Sequence, residues 1–426
     1  MNSYRTSTWG DEISLEYGKS LKGYQNSNGK YQVFGSNGPI GWTDKPLCKG
    51  PGIILGRKGA YRGVKFSEKD FYVIDTAYYV VPKTDLDLNW LYYAIKYHKL
   101  GEIDDGSPIP STTRAAVYVR EFDIPSKEVQ VKMGNILKKI DLKIELNNQI
   151  NETLESIAQA IFKSWFIDFD PVRAKTAAKQ VGKDSELAAM CVMSGKSEAE
   201  LKQMPEDNFA ELQATAALFP DELVESELGD VPKGWELQQL KDIAKYSSNK
   251  ILLNDLNLEN YISTENMLSE KKGIEKASSL PKVNNVPAFK KGNILVSNIR
   301  PYFKKIWFSS FEGGHSNDVL NFEVLEEGCE EYLYNLIYQD SFFDQMMASS
   351  KGSKMPRGDK KAIMSFQVVI PSITLRRLYS RKVEKFYFKK NVIEKENQIL
   401  KIIRDTLLPK LLSGEINVSS LKDKVE

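Results

Sequence analysis

The chain has 426 residues, of which 41% are hydrophobic and 27% charged, a composition typical of a globular protein with room for two or three domains. Its formal net charge of +2 excludes a strongly basic or strongly acidic protein at the level of the whole chain. No apolar run of about 18 residues predicts a membrane span, and neither the polar N-terminus nor the three scattered cysteines indicates secretion, so we expect a cytoplasmic protein.

Residues 1–124 predict a first α+β domain. Short β-type runs at residues 52–55 and 71–75 lie between glycine-rich turns, as buried strands do. Residues 90–97 have the pattern of a short helix.

Residues 125–170 predict one long helix. Apolar side chains recur along it with alternating steps of four and three, which is a heptad pattern. The pattern predicts one buried column of Met133, Ile140, Leu154 and Ile161. It predicts a second column of Val129, Ile136, Ile150 and Ile157. Lys143 fills the middle position of this second column, and Asn147 fills the middle position of the first. A helix of about 40 residues is about 60 Å long, so its apolar stripe needs a partner of similar length.

Residues 171–230 change in character, because they are rich in Ala, Glu and Lys and carry 6 basic and 12 acidic residues. Ser197 followed by Glu200 is the pattern of a capping box, which predicts that a short helix begins there. We predict a helical spacer that packs loosely on the long helix and carries no chemistry.

Residues 231–370 predict a second α+β domain, which is a distant copy of the first. Residues 52–57 resemble 292–300, residues 90–95 resemble 332–337, and residues 106–110 resemble 352–356. Each copy ends in Ile-Pro-Ser and continues into a long helix. The shared order of these matches predicts an internal duplication.

The second long helix is predicted at residues 371–415, before a C-terminal tail at 416–426. Other registers fit its seam nearly as well as the one formed by Tyr379, Val383, Phe386, Ile393, Asn397 and Leu400. We expect an α+β fold in which two similar globular domains are held apart by a long antiparallel two-helix coiled coil, with pseudo-twofold internal duplication. The alternative is two ordinary helices in separate cores.

The sequence carries no catalytic signature. Histidine occurs only at His98 and His315, and with three scattered cysteines these cannot form a zinc site at any usual spacing. The nucleotide-binding loop GxxxxGK[ST] and the nucleophile elbow GxSxG do not occur in the sequence. Residues 168–171, DFDP, lack the second proline and the aromatic residue of the D-P-P-Y motif of amino-methyltransferases. We therefore expect a chain without enzyme activity and without a bound metal.

Two related domains on a stiff spacer suit a two-part target such as duplex DNA, in which half-sites one turn apart are separated by about 34 Å. The candidate contacts lie in glycine-rich loops, since Arg and Asn can pair with base edges while Lys, Ser and Tyr more often hold phosphate. In the first domain they are Arg57, Lys58, Tyr61, Arg62, Ser111, Thr112, Thr113 and Arg114. In the second they are Asn298, Arg300, Tyr302, Lys304, Lys305, Lys351, Ser353, Lys354, Arg357, Lys360 and Lys361. The alternative is that these are turn residues and solvated lysines.

Over nearly its whole length the sequence resembles the specificity (S) subunits of type I restriction–modification systems. Residues 18–43, 50–64 and 73–80 resemble a first target-recognition domain of that family. Residues 146–175 resemble its central conserved region, and residues 396–416 resemble its distal conserved region. Residues 227–236, ELGDVPKGWE, resemble the entry to a second recognition domain.

This resemblance implies a subunit without an active site, in which each recognition domain reads one part of a bipartite double-stranded DNA target and the helices fix the gap. It implies two methyltransferase (M) subunits that use S-adenosylmethionine, and restriction/translocase (R) subunits that use ATP and magnesium. None of these cofactors is expected on this chain.

The resemblance also implies that methyltransferase subunits dock on the outward faces of the two helices. The candidate docking residues lie off the predicted seams, and they are Ala158, Phe162, Trp165, Phe166, Leu408 and Leu412. These side chains could instead close the ends of the coil. A second function left open is a duplicated coiled-coil adaptor that bridges proteins without reading DNA.

Overall fold

The computed structural model describes residues 4–26, 28–104, 106, 110–227, 229–352 and 354–418. The chain divides into two compact units, of which the first comprises Met1–Gln149 and Glu394–Glu426 and the second Ile150–Ile393. Both divisions fall inside long helices, so each of these helices contributes to both units. No helix in the described part of the chain is long and apolar enough to cross a membrane.

The first unit is organised around a buried strand, β5, whose residues are all shielded from solvent. The strands of this unit are β1 (Arg5–Thr8), β2 (Ile13–Tyr17), β3 (Tyr31–Gly35), β4 (Gly38–Thr43), β5 (Gly52–Gly56), β6 (Val64–Ser67), β7 (Phe71–Val73), β8 (Ala77–Pro82) and β9 (Glu121–Ile124). Its helices are α1 (Trp9–Glu12), α2 (Leu88–Tyr97), α3 (Arg114–Tyr118) and the first part of α4 (Lys127–Phe166). One sheet has the order β2-β8-β5-β6, a second has the order β4-β3-β7, and β1 pairs with β9.

The second unit begins with helices and continues into sheets. Its helices after α4 are α5 (Asp170–Gln180), α6 (Ser185–Ser194), α7 (Glu198–Leu201), α8 (Glu206–Ala217), α9 (Glu330–Ile337), α10 (Asp340–Ala348), α11 (Lys360–Met364) and the first part of α12 (Ile373–Leu412). Its strands are β10 (Leu223–Ser226), β11 (Gly229–Pro232), β12 (Glu236–Gln239), β13 (Ala244–Tyr246), β14 (Lys250–Leu252), β15 (Tyr261–Ile262), β16 (Asn285–Phe289), β17 (Ile294–Ser297), β18 (Ile306–Phe308), β19 (Gly313–His315), β20 (Val319–Val324) and β21 (Gln367–Ile370).

The predicted duplication is confirmed by the strand order of the two units. The sheet β2-β8-β5-β6 of the first unit is matched by β13-β20-β17-β18 in the second, and the pair β1-β9 is matched by β12-β21. The sequence matches that predicted the duplication fall on β5 and β17 and on α2 and α9. The third match, between 106–110 and 352–356, lies partly outside the described residues, which omit 107–109 and 353.

The two long helices contain 40 residues each and run antiparallel within each unit. In the first unit Arg404 donates to Asp141 at 2.9 Å, and further along α4 the Asn147 amide donates to Asn397 at 2.9 Å. In the second unit Glu155 pairs with Lys390, and the carbonyl of Ala158 accepts from the Tyr379 hydroxyl at 3.0 Å. Residue numbers therefore rise along α4 as they fall along α12, as an antiparallel pair requires.

One of the two predicted columns of α4 is wrong beyond its first residue. The column that contains Met133 is buried or half-buried throughout, whereas in the other column Val129 is buried but Ile157 is 40% exposed. The side chains that point inward lie one residue later, at Leu137, Ile144, Asn151, Ala158 and Trp165. Hydropathy favoured the wrong column because isoleucines at 150 and 157 are more apolar than the asparagine and alanine beside them. On α12, the predicted seam is confirmed at Tyr379, Val383, Ile393 and Asn397, which are buried.

The segment between α4 and β12 is anchored to the second unit, which contradicts the expected loose packing. Phe169, Val172 and Phe219 are buried in the core of that unit. The Lys175 ammonium donates to the carbonyl oxygens of Ala216 at 2.9 Å and Phe219 at 2.7 Å, so it satisfies the C-terminal end of α8. The predicted capping box of Ser197 and Glu200 is confirmed at the start of α7.

Candidate nucleic-acid interface

In the first unit, three loops meet where β5 ends. The backbone of Lys58, which follows β5, forms an isolated antiparallel bridge with Ser111, which precedes α3. The third loop supplies the Thr76 carbonyl, which accepts from the backbone amides of Arg57 at 3.0 Å and Lys58 at 3.2 Å. These bonds fix the predicted contact residues of the first domain on one edge of its sheet.

The second unit repeats this arrangement where β17 ends. Ile299 forms the corresponding antiparallel bridge, here with Arg357 ahead of α11. The Asp318 carbonyl accepts from the Asn298 amide at 2.8 Å, as Thr76 does for Arg57 in the first unit. We name the three hydrogen-bonded loops of each unit, with the first residues of the helix that follows them, its loop edge. It comprises residues 57–63, 74–76 and 110–114 in the first unit, and 298–305, 316–318, 351–352 and 354–361 in the second.

An exposed tyrosine that the sequence analysis missed lies beside the first loop edge. Tyr17, at the end of β2, is 47% exposed, and its ring lies 5.0 Å from the Arg57 guanidinium and 4.3 Å from that of Arg114. Arg57 donates through Nε and Nη2 to the Asp75 carbonyl at 3.2 and 2.8 Å, and Arg114 donates through Nε to the Leu15 carbonyl at 2.6 Å. Both arginines are therefore held in place before any ligand binds. The dipeptide Tyr-Gly at residues 17–18 was the signal available in the sequence.

Several predicted contacts of the first domain instead hold its loops together. Thr112 is 0% exposed, and its hydroxyl donates to the Ile103 carbonyl at 3.1 Å, so its burial contradicts a DNA contact. Thr113 caps α3 by accepting from the Ala116 amide at 3.3 Å. The Arg62 guanidinium donates to three carbonyls, those of Gly59, Gly101 and Ile103. Of the other candidates, Lys58 and Tyr61 are exposed and Ser111 is half-buried.

Two predicted contacts of the second domain are also tied into the protein. Asn298 is only 6% exposed, which contradicts a role at the surface. Lys305 donates to the Thr264 carbonyl at 2.6 Å, and burial lowers the pKa of its ammonium.

The remaining candidates of the second domain lie on its loop edge. Lys304 pairs with Asp340 at 3.1 Å, and this bond raises the pKa of Lys304. Arg300 has a left-handed backbone, with φ of 50°, and is half-buried. The exposed candidates are Tyr302, Lys351, Lys354, Arg357, Lys360 and Lys361. Ser353 lies outside the described residues.

The predicted docking residues belong to the cores of the two units, which contradicts that prediction. The side chains of Ala158, Phe162, Trp165 and Phe166 are buried in the second unit, where the Phe162 ring lies 5.6 Å from Tyr379. Leu412 is buried and Leu408 half-buried in the core of the first unit. Ala158 and Trp165 lie on the inward column that the sequence analysis missed, which explains the error for these two. Phe162 and Phe166 lie off that column and are buried against Tyr332 of α9.

Other apolar side chains of the long helices are exposed. On α12 they are Phe388, Val392, Ile399, Ile402 and Ile403, and on α4 they are Leu142, Leu146 and Ile157. Exposed apolar side chains that recur along a helix typically mark a surface for another protein. Within the described residues, no group of three or more His, Cys, Asp or Glu side chains could hold a metal ion.

Comparisons with known proteins find relatives of this chain. A family model described as the type I restriction modification DNA specificity domain matches residues 7–156. The type I restriction enzyme HindI specificity subunit of Haemophilus influenzae is 32% identical, with 82% of each chain covered. The MjaIX specificity subunit of Methanocaldococcus jannaschii is 25% identical, with 80% of this chain and 72% of that one covered. The crystal structure of a type I restriction-modification S subunit from M. genitalium has the same fold, with a TM-score of 0.56 at 17% identity over 96% of each chain.

Proposed function

The chain belongs to the family of type I restriction enzyme specificity subunits, and from this premise we propose that each of its two units reads one part of a bipartite DNA target. The chain is a non-catalytic subunit that recognises DNA. The finer assignment, of one half-site to each unit and of contact residues to each loop edge, is our proposal.

The repeated loop edge is the observation that carries this proposal. Both units join the same three loops by an isolated bridge, yet they place different side chains there. The first edge offers Arg57, Lys58 and Arg114 beside an aromatic ring. The second offers Arg357 with exposed lysines at 354 and 361. Because base edges are distinguished by a few side chains, two edges of different chemistry suit two different half-sites.

We further propose that two methyltransferase subunits dock on the exposed apolar side chains of α4 and α12, and that restriction subunits join them. Apolar groups such as Ile402, which is 66% exposed, are disfavoured in water and favourable against a partner. In this proposal S-adenosylmethionine, ATP and magnesium belong to those partners, and the assembled complex works in the cytoplasm. The near-neutral charge of the chain is compatible with an adaptor, but both loop edges favour DNA recognition.

The substitution Arg57→Ala tests the division of the target between units. In a selection from randomised duplex DNA, wild-type chain with its co-expressed methyltransferase should enrich a bipartite motif whose binding weakens steeply with salt. The variant should lose preference by roughly 5-fold to 150-fold at one half-site and keep the other. Lys69→Ala is the matched control, since Lys69 is exposed and lies in the turn after β6, at the far end of the same sheet. Equal losses in both half-sites would contradict separate readers.

The substitution Ile402→Glu tests the docking surface. We expect it to reduce co-purification of the methyltransferase about 10-fold or more, because the new charge would have to be buried in the interface. Gln203→Glu is the control, since it adds the same charge at an exposed position outside α4 and α12. Both variants should keep the wild-type melting temperature. Undiminished co-purification of the Ile402 variant would place docking elsewhere.

A further inference from the structure

The Arg357 side chain is exposed, yet its guanidinium is held in one orientation. Its Nε donates to Asp318 Oδ1 at 3.1 Å, and its Nη2 lies 3.4 Å from Asp318 Oδ2. Both side chains remain open to solvent, at 50% for Arg357 and 42% for Asp318. The backbones of the two residues are also tied to the loop after β17, through Ile299 and Asn298.

This pairing uses only one edge of the guanidinium. The carboxylate takes the side formed by Nε and Nη2, and within the described residues Nη1 makes no hydrogen bond. The remaining edge carries one N–H of Nη1 and one of Nη2, which point in parallel. In the major groove, N7 and O6 of guanine form a matching pair of acceptors, and arginine is the side chain that pairs with both.

A structural role does not account for the pair of Arg357 and Asp318. An ion pair between two exposed side chains contributes little to folding. A phosphate contact does not account for it either, because the carboxylate neutralises the arginine and would repel a phosphate. Asp318 would hold the Arg357 guanidinium at a fixed angle toward a base edge. This role explains why a carboxylate lies among loops that are otherwise basic.

We propose that Arg357, oriented by Asp318, reads a guanine in the half-site bound by the second unit. This inference rests on the proposed function and adds the base, the reading residue and its positioning residue. Arg357 contacts the base, whereas Asp318 acts through Arg357.

The experiment is the same DNA selection, performed with the full chain and its co-expressed methyltransferase. Wild type should enrich a bipartite motif with a G·C pair in the half-site of the second unit. Arg357→Lys keeps the charge but cannot form the paired bonds, so preference for that G·C pair should fall roughly 5-fold to 150-fold. Asp318→Asn should reduce the same preference by a smaller factor, about 3-fold to 10-fold, since an amide oxygen can hold only one side of the guanidinium. Neither variant should change the other half-site.

The control variant is Lys354→Ala, which removes an exposed charge from the same loop. It should leave the motif unchanged and weaken binding to all sequences alike, with a shallower dependence on salt. The inference is overturned, while the proposed function stands, if Arg357→Lys leaves the motif unchanged. It is also overturned if Arg357→Ala, like Lys354→Ala, weakens binding to all sequences alike and leaves the motif unchanged. If wild type enriches no sequence, both are overturned.

Discussion

The two loop edges have the same backbone but place an arginine on different loops. In the first unit the arginine follows β5, and its side chain is held by a backbone carbonyl. The equivalent residue of the second unit is the buried Asn298, since Gly56 pairs with Ala77 as Ser297 pairs with Val319. Arg357 instead occupies the place of Ser111, across the bridge. The comparison teaches that the duplicated backbone fixes where recognition takes place, while the side chains of each copy decide what is recognised.

The cores of the two units differ more in composition than in position. Asn148 and Asn397 occupy the same place in a repeated Asn-Gln-Ile sequence, and their amides are joined at 2.9 Å. Counting from these asparagines, Phe162 of the second unit is equivalent to Leu411 of the first. Phe162 is an aromatic side chain in the core of the second unit, whereas Leu411 is an aliphatic side chain in the core of the first.

The largest expected effect comes from truncating these equivalent core residues. Phe162→Ala should lower the free energy of unfolding by about 3–5 kcal/mol, and Leu411→Ala by about 2–5 kcal/mol, because each leaves a cavity. Denaturant unfolding would give the totals, and hydrogen exchange would show whether each loss is concentrated in its own unit. Ile399→Ala, on the exposed side of α12, should change stability by less than about 0.5 kcal/mol. If Phe162→Ala kept full stability and lost only the methyltransferase, the docking role first predicted for Phe162 would be restored.

The next effect depends on pH and has opposite signs in the two units. In the first unit, bonds from Arg5 hold the pKa of the buried Glu12 carboxyl at about 2. In the second unit, burial beside Glu330 and Glu384 raises the pKa of Glu331 to about 7. Neither residue has a titratable equivalent in the other unit. The residue equivalent to Glu12 in the second unit is Ile243, and the residue equivalent to Glu331 in the first unit is Asn89.

Because its pKa is lowered by folding, Glu12 contributes stability above about pH 4.3 that is lost as the pH falls toward 2.

Glu331 has the reverse effect, since its raised pKa makes ionisation costly in the folded state. Stability of the second unit should therefore fall as the pH rises from about 4.3 to 7. We expect Glu331→Gln to stabilise the protein by about 1–3 kcal/mol at pH 8 and to have little effect at pH 4. Glu12→Gln should destabilise it at pH 8 by a similar amount. Thermal unfolding of both variants at the two pH values measures this, and shifts of the same sign would disprove it.

How much of the molecule the sequence could predict varies from one feature to another. The duplication was predictable because β5 and α2 keep enough local pattern to be matched with β17 and α9. One inward-facing column of α4 was not predictable, because it includes Asn151 and Ala158, which face inward although they are less apolar than their neighbours. From that error followed the wrong docking prediction at Ala158 and Trp165. The loop edges were found from glycine and basic residues in sequence. Tyr17 and Asp318 were missed because they come from separate segments that only the folded chain brings to those loops.

The smallest effect we predict tests what Tyr17 adds to the first loop edge. Strand pairing makes Ser248 the equivalent residue of the second unit, since Ile13 pairs with Pro82 as Ala244 pairs with Val324. Tyr17→Ser removes the ring beneath the two guanidinium groups, and an exposed cation–π contact is worth about 0.5–1 kcal/mol. Affinity for the first half-site should fall about 2-fold to 5-fold, as measured by titration of duplexes altered in one half-site at a time.

The sequence preference should survive this substitution, because Arg57 keeps both bonds to the Asp75 carbonyl. The converse change, Ser248→Tyr, is the matched control. It should have no effect at the second half-site, since the residues at the places of Arg57 and Arg114 are Asn298 and Lys360, and no guanidinium stands there to accept the ring. A loss of preference in Tyr17→Ser as large as that of Arg57→Ala would mean that the tyrosine itself touches a base. The first loop edge would then read its half-site with an aromatic ring as well as an arginine, and the contrast with the second edge would extend to the kind of contact that each unit makes.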